Sequence, residues 1–223
     1  MFCFPARFPK PCRYNEHSVN KLQTYKVLET LHEVKRILTN MKLEVLEKDC
    51  YYHIYNRGIN GINIFESDDN KLYFLKQISK YLSDKISVFA YCLMNNHFHL
   101  VIRLNYEEKE VTQAFSNLFN SYAKAFNKQT NRTGSLFEKH FKRIKLNDEN
   151  YLRHLIIYVH LNPKHHFDLD FKDFRFSSYR AFLSDKETKI EREEVLNLFS
   201  DIENFIFCHN QKNDFLNETY TFE

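Results

Sequence analysis

Two histidines one residue apart, in Asn96-His97-Phe98-His99-Leu100-Val101-Ile102, carry the sharpest chemical signal in the chain. Side chains alternate along a strand, so both imidazoles project from one face while Phe98, Leu100 and Ile102 turn to the other as core. Two neighbouring neutral imidazoles can chelate one divalent cation. The same pair also occurs as mere decoration of a sheet surface. A second group lies in Tyr158-Val159-His160-Leu161-Asn162. Tyr158 and Asn162 are four apart and share a helix face about one turn from each other. The Asn162 amide oxygen is a candidate third ligand, which would set the Tyr158 hydroxyl beside the same ion. Read alone, Tyr158 is equally a core aromatic and Asn162 an ordinary helix-end residue. Taken together, the groups suit phosphodiester chemistry: a metal that polarises the phosphate and a tyrosine oxygen that attacks it, storing the bond as a phosphotyrosine. His160, two residues past Tyr158, reads as a surface residue facing away from Asn162, and His165-His166 as a solvated loop.

The elements that must hold these groups read as alternating strand and helix. Tyr51–Asn56 is short, aromatic and β-branched and ends at Arg57-Gly58, a strand pattern. Asp68 or Asp69 is the expected cap of a helix whose apolar residues Leu72, Phe74, Leu75, Ile78 and Leu82 recur at helical spacing. Ile86–Met94 and His97–Leu104 read as strands joined through Asn95-Asn96, a hairpin. Residues 107–129 form a long amphipathic helix, Phe141–Leu146 a fourth strand, and Asn147 or Asp148 caps a further helix that Pro163 is expected to stop at Asn162. Strand–helix–strand–strand–helix–strand is the order of a ferredoxin-like α+β fold: one antiparallel sheet with helices on one face.

Composition narrows the classes. The chain has 223 residues, 43% hydrophobic and 27% charged, which excludes wholesale disorder. Only three glycines and four prolines argue against a turn-rich all-β barrel. No run of 18 apolar residues is present, and Pro5, Pro9 and Pro11 interrupt any signal-peptide core at the start. Five scattered cysteines suit reduced thiols, so a cytoplasmic location is expected. The net charge of +3 is small but unevenly spread. Between Ser121 and Leu146 stand Lys124, Lys128, Arg132, Lys139, Lys142, Arg143 and Lys145 against Glu138 alone. Interleaved with Tyr122, Phe126, Phe137 and Phe141, they are a candidate nucleic-acid-binding surface, with a solvated helix face as the plainer alternative. From Ser184 onward ten acids face four bases. Three segments are therefore expected: a dispensable extension over 1–40, a core domain over 41–183, and an acidic extension over 184–223.

At the chemistry-bearing residues the sequence resembles the single-tyrosine transposases of the HUH endonuclease superfamily, REP-associated tyrosine transposases and similar insertion-sequence enzymes among them. The matching segments are Tyr52-His53-Ile54-Tyr55-Asn56-Arg57-Gly58, Ala90–Leu100, Asn131–Phe137, Tyr158–Pro163 and Phe176-Ser177-Ser178-Tyr179-Arg180. In order and spacing they cover roughly 41–183. The resemblance implies metal ligation by His97, His99 and Asn162, and Tyr158 as the nucleophile. It further implies single-stranded DNA cut near a hairpin, leaving a 5′-phosphotyrosine and a free 3′-hydroxyl, with the chain acting as monomer or homodimer. The implied metal is Mg²⁺ or Mn²⁺, and two imidazoles favour Mn²⁺. Two departures stand out: Asn95 where the family usually has proline, and Lys164-His165-His166-Phe167 where it has a glycine-containing stretch. Two other readings compete. One is a non-catalytic nucleic-acid-binding module on the same fold. The other is a zinc protein that adds Cys92 or a further histidine to the pair.

Overall fold

The computed structural model describes residues 44–167 and 169–211. The proposed extension over 1–40 lies outside them, as do residues 212–223 of the acidic extension. Four strands, β1 (Tyr51–Arg57), β2 (Ile86–Leu93), β3 (His97–Leu104) and β4 (Lys142–Leu146), form one antiparallel sheet in the order β2-β3-β1-β4. Helix α1 (Asp68–Leu82) links β1 to β2, and α2 (Glu108–Gln129) links β3 to β4. This is the ferredoxin-like α+β topology that the element order predicts.

Alternation along the strands gives the sheet two faces with different tasks. Tyr52, Ile54, Phe98, Leu100 and Ile102 point to the side covered by α1 and α2, where Phe74, Ile78, Val111, Phe115 and Leu118 complete a core. Val101, Cys92 and Ala90 point the other way, against Leu152, Leu155, Ile156 and Val159 of a third helix, α3 (Glu149–Phe167). The sheet is therefore covered on both faces, not on one as the element order suggests, because the helix after β4 folds back over the apolar Val101, Cys92 and Ala90 side, the face that carries the paired histidines.

Two helix boundaries differ from the expected ones. Ser67, not Asp68 or Asp69, caps α1 and accepts the Asn70 amide, because a hydroxyl in extended backbone one residue earlier reaches the first turn. Pro163 does not stop α3, which runs on to Phe167. The proline removes one N–H and crowds the Val159 carbonyl, at a cost of about 3 kcal/mol. Val159, Leu161 and Asn162 are fully buried, and that packing holds the helix together through the proline. Asp148 does cap α3, accepting the Tyr151 amide at 2.7 Å.

The hairpin turn before His97 is pinned from several sides. The Asn95 carbonyl accepts the amides of Ile64 and Phe65 at 2.8 and 2.9 Å, and its side-chain oxygen accepts Lys71 Nζ at 3.0 Å. Fixed by hydrogen bonds, the turn does not need a proline there. Gly58 donates to the Asn96 carbonyl at 2.8 Å, and a Cβ at this position would stand 2.0 Å from the Ile62 carbonyl oxygen, so only glycine fits.

Beyond α3 come three short helices: α4 (Tyr179–Phe182), α5 (Arg192–Leu198) and α6 (Ile202–Gln211). Phe199 and Phe205 pack with Tyr179, Phe182 and α3, so residues 184–211 close over the outer side of the α3 layer. Tyr51 and Arg103 on the sheet both bind Glu194 of α5, at 2.9 and 2.7 Å.

Candidate functional site

The paired strands β1 and β3 place His99 opposite Tyr55, one row from His53. Both histidines lie on the face that α3 covers, and both are buried. His53 Nε2 stands 2.9 Å from His99 Nδ1, with the ring planes 20° apart. His97, half-buried, has its Nδ1 2.7 Å from the Asn96 side-chain oxygen. That oxygen only accepts, so the His97 Nδ1 carries the proton. The His97 and His99 rings are 5.1 Å apart. With Nδ1 engaged on both rings, Nε2 is the nitrogen through which each would ligate.

From across the interface α3 brings Tyr158, whose half-buried ring meets that of His99 edge-on at 5.8 Å. Asn162, one turn further, is fully buried. Its amide donates to the Tyr158 carbonyl at 3.1 Å, and its oxygen, Oδ1, has no hydrogen-bond partner among the described residues. A buried amide oxygen without a donor is a costly arrangement that an electrophile would relieve. Two imidazole nitrogens and one amide oxygen are a donor set that Mn²⁺ accepts and Mg²⁺ accepts less well.

A cavity of about 390 Å³ opens beside the histidines, lined among others by Arg57, Glu138, Lys142 and His166. Tyr158 and Asn162 are not among its lining residues. Arg57 and Glu138 pair at 2.6 Å, which leaves Lys142 as a cation here without an acidic partner among the described residues. Burial and the neighbouring His53, His97 and His166 hold His99 well below the ordinary imidazole range, and burial alone pushes His53 down to about 3. Both rings are thus neutral at physiological pH, the state a ligand requires.

Several sequence expectations change. His160 is not a surface residue. It is fully buried, with Nδ1 2.9 Å from His209 Nε2 and Nε2 2.8 Å from Ser178 Oγ. Its position two residues past Tyr158 does turn it from the sheet, but residues 178–209 cover that side. His165 and His166 are exposed but belong to the last helical turn, because α3 continues past Pro163. Their rings reach the site: His166 lies 5.0 Å from His97, and His165 lies 6.3 Å from Tyr158. Tyr122 is core, donating to the Ile64 carbonyl at 2.6 Å.

The expected DNA surface divides in two. Lys124 and Lys139 border an open groove of about 680 Å³ between α2 and residues 134–141, floored by Phe119, Phe137 and Phe141. Lys142 faces the histidine cavity, and Lys128 is exposed at the end of α2. Arg143 instead pairs with Glu108 at 3.3 Å and Lys145 with Glu47 at 2.7 Å, while Arg132 bonds the Asn127 side-chain oxygen at 3.3 Å.

Zinc finds no cluster. Among the described residues no group of three or more His, Cys, Asp or Glu side chains could hold a metal ion. Cys92 is buried against Met94, and burial pushes its thiol up, away from thiolate chemistry.

No protein-family model matches the sequence, and no curated protein is significantly similar to it. Among solved structures, a REP-associated tyrosine transposase bound to a REP hairpin superposes with a TM-score of 0.50 at 15% identity, over 64% of this chain and 83% of that one. At that identity the likeness establishes a shared fold. A tRNA(His) guanylyltransferase from Saccharomyces cerevisiae covers 75% of this chain and 86% of its own, at 12% identity and a TM-score of 0.32, too loose to bear on fold or function. No described helix is long and apolar enough to cross a membrane.

Proposed function

We propose that this chain is a metal-dependent single-stranded DNA endonuclease and strand transferase, working at hairpin-flanked sites through a 5′-phosphotyrosine on Tyr158. The observation that carries the reading is the meeting of the Tyr158 ring with His99 across the sheet–helix interface, at 5.8 Å. A chain with two decorative strand histidines has no reason to bring a helix tyrosine to them. The match in fold to a hairpin-binding transposase supports the same reading.

In this reading His97, His99 and Asn162 hold Mn²⁺ or Mg²⁺, which when bound neutralises charge on the scissile phosphate. Tyr158 Oη attacks phosphorus and forms the O–P bond, while the bond from phosphorus to the 3′-oxygen breaks and that oxygen takes a proton. The helix supplies aim rather than reactivity, since an oriented hydroxyl gains most of its advantage from placement. In the return step a 3′-hydroxyl displaces the tyrosine and restores a phosphodiester. Lys142 fits a phosphate in the cavity, and Lys124, Lys128 and Lys139, with Arg132, carry the strand along the groove. Arg143 and Lys145 contribute less, because Glu108 and Glu47 already neutralise them.

The test uses a pool of single-stranded DNAs with randomised hairpins and flanks, incubated with the chain and Mn²⁺. A covalent protein–DNA adduct that needs the metal and vanishes in Tyr158→Phe is the expected result. Hairpin binding with no adduct at any metal concentration would instead make this a non-catalytic binding module.

A further inference from the structure

The β1 histidine, His53, is not one of the proposed metal ligands. It is fully buried, and burial alone disfavours its charged form, so it is neutral in the fold. Its Nε2 faces His99 Nδ1 at 2.9 Å across the β1–β3 pairing, and its other nitrogen, Nδ1, has no hydrogen-bond partner among the described residues. The Tyr55 ring stacks on His53 at 4.8 Å and on His99 at 5.7 Å, which holds both rings in roughly parallel planes. Nothing in packing requires an imidazole at position 53: Val101 and Ile144, its neighbours in register, are apolar.

A single proton is shared across the 2.9 Å contact. If it sits on His53, the His99 Nδ1 is the acceptor and His99 Nε2 carries the ring's hydrogen, which blocks ligation there. If it sits on His99, the Nε2 lone pair is exposed to a metal, and His53 is the acceptor. We propose that His53 is a positioning residue that accepts the His99 Nδ1 hydrogen, fixing that ring's tautomer and aiming its Nε2 at a divalent cation. For His97 the Asn96 side-chain oxygen serves in the same way at 2.7 Å. The two ligand rings would then be held by separate acceptors, one half-buried in a turn and one buried in the sheet. This inference rests on the metal-binding half of the proposed function and on none of the DNA chemistry.

The experiment measures Mn²⁺ binding to the full chain without DNA, by the electron paramagnetic resonance signal of the free ion, for wild type, His53→Leu and His53→Gln. Glutamine can present its amide oxygen near the place of Nε2 and still accept from His99, whereas leucine fills the space and accepts nothing. Leucine should weaken Mn²⁺ binding about 10–100-fold, the usual cost of losing such an acceptor, and glutamine should recover most of it. Circular dichroism melts confirm that each variant is folded, and ¹⁵N-resolved NMR of the metal-free chain reads the His99 tautomer directly. In wild type, the His99 Nδ1 should be the protonated nitrogen. Leucine binding as tightly as wild type, glutamine weakening as much as leucine, or a proton found on His99 Nε2 would each overturn the inference while leaving Tyr158 and the DNA chemistry standing. Wild type binding no Mn²⁺ at all would overturn the metal site itself, and with it both readings.

Discussion

Two buried histidine pairs stand on opposite sides of α3, and they are built to different ends. On the outer side His160 and His209 form a closed chain. Tyr91 N–H donates to Ser178 Oγ at 2.9 Å, and His160 joins Ser178 and His209. His209 Nδ1 in turn meets the Phe205 carbonyl at 2.7 Å. Every ring nitrogen in that chain has a partner, and aromatic side chains wrap it. On the inner side, among the described residues, His53 leaves Nδ1 without one, Asn162 leaves an oxygen without one, and a cavity opens beside His97 and His99. A satisfied buried polar network fixes structure; one with unmatched atoms beside a cavity is prepared for something that is not protein.

That contrast can be broken most sharply at Tyr158, the proposed nucleophile. Tyr158→Phe should abolish the covalent DNA adduct entirely, with Mn²⁺ binding unchanged, as read on a denaturing gel and by metal titration. Next in size, His99→Ala should remove measurable Mn²⁺ binding and cleavage together while the thermal melt stays cooperative. The outer pair should behave the opposite way. His160→Leu strands Ser178 and His209 in the core and should cost about 2–4 kcal/mol of stability, measured by denaturant unfolding, while the folded fraction keeps its Mn²⁺ affinity.

Acid should act on both buried pairs in the same direction, since burial lowers the pKa of His53 and His99 as well. Burial lowers the pKa of His160 and His209, the latter to about 4 from an ordinary 6.5. Between those values the unfolded chain takes up protons that the folded chain refuses, so stability is whole above about pH 6.5 and falls as pH drops toward 4. The loss from His209 alone is on the order of 3 kcal/mol. Unfolding free energies that stay flat across that window in wild type, or a slope that His209→Leu leaves unchanged, would show that the outer pair is less sealed than its contacts indicate. The smallest effect concerns the cations. Lys142→Ala should weaken binding of a single-stranded oligonucleotide and lower its salt-dependence slope by about one, whereas Lys145→Ala should change the slope less, because Glu47 already neutralises it.

Much of the site was legible from spacing. A strand period of two put His97 and His99 on one face opposite Phe98, Leu100 and Ile102, and the fold keeps that division. The α1 cap lies at Ser67, one residue before Asp68, a shift that local spacing does not resolve because both side chains can accept a first-turn amide. Pro163 was read by local chemistry as a stop, and long-range burial of Val159 and Leu161 overrode it. His53 stood in a matching segment without a role, since its partner lies 46 residues away and no local period links them. Local spacing makes His160 look like a surface residue for the same reason: whether one side of a helix faces water depends on what later chain returns to cover it.

From its residues alone, this chain determined the order of strands and helices, the pairing of two imidazoles on one sheet face and the one-turn spacing of Tyr158 and Asn162. These follow from backbone periodicity, which each segment carries within itself. Only the tertiary structure decided that α3 lies over the histidine face, that His53 backs His99, that Glu108 and Glu47 claim two of the cations, and that the returning chain seals His160. Those facts are contacts between segments far apart in sequence, fixed by which surfaces bury each other rather than by any local pattern.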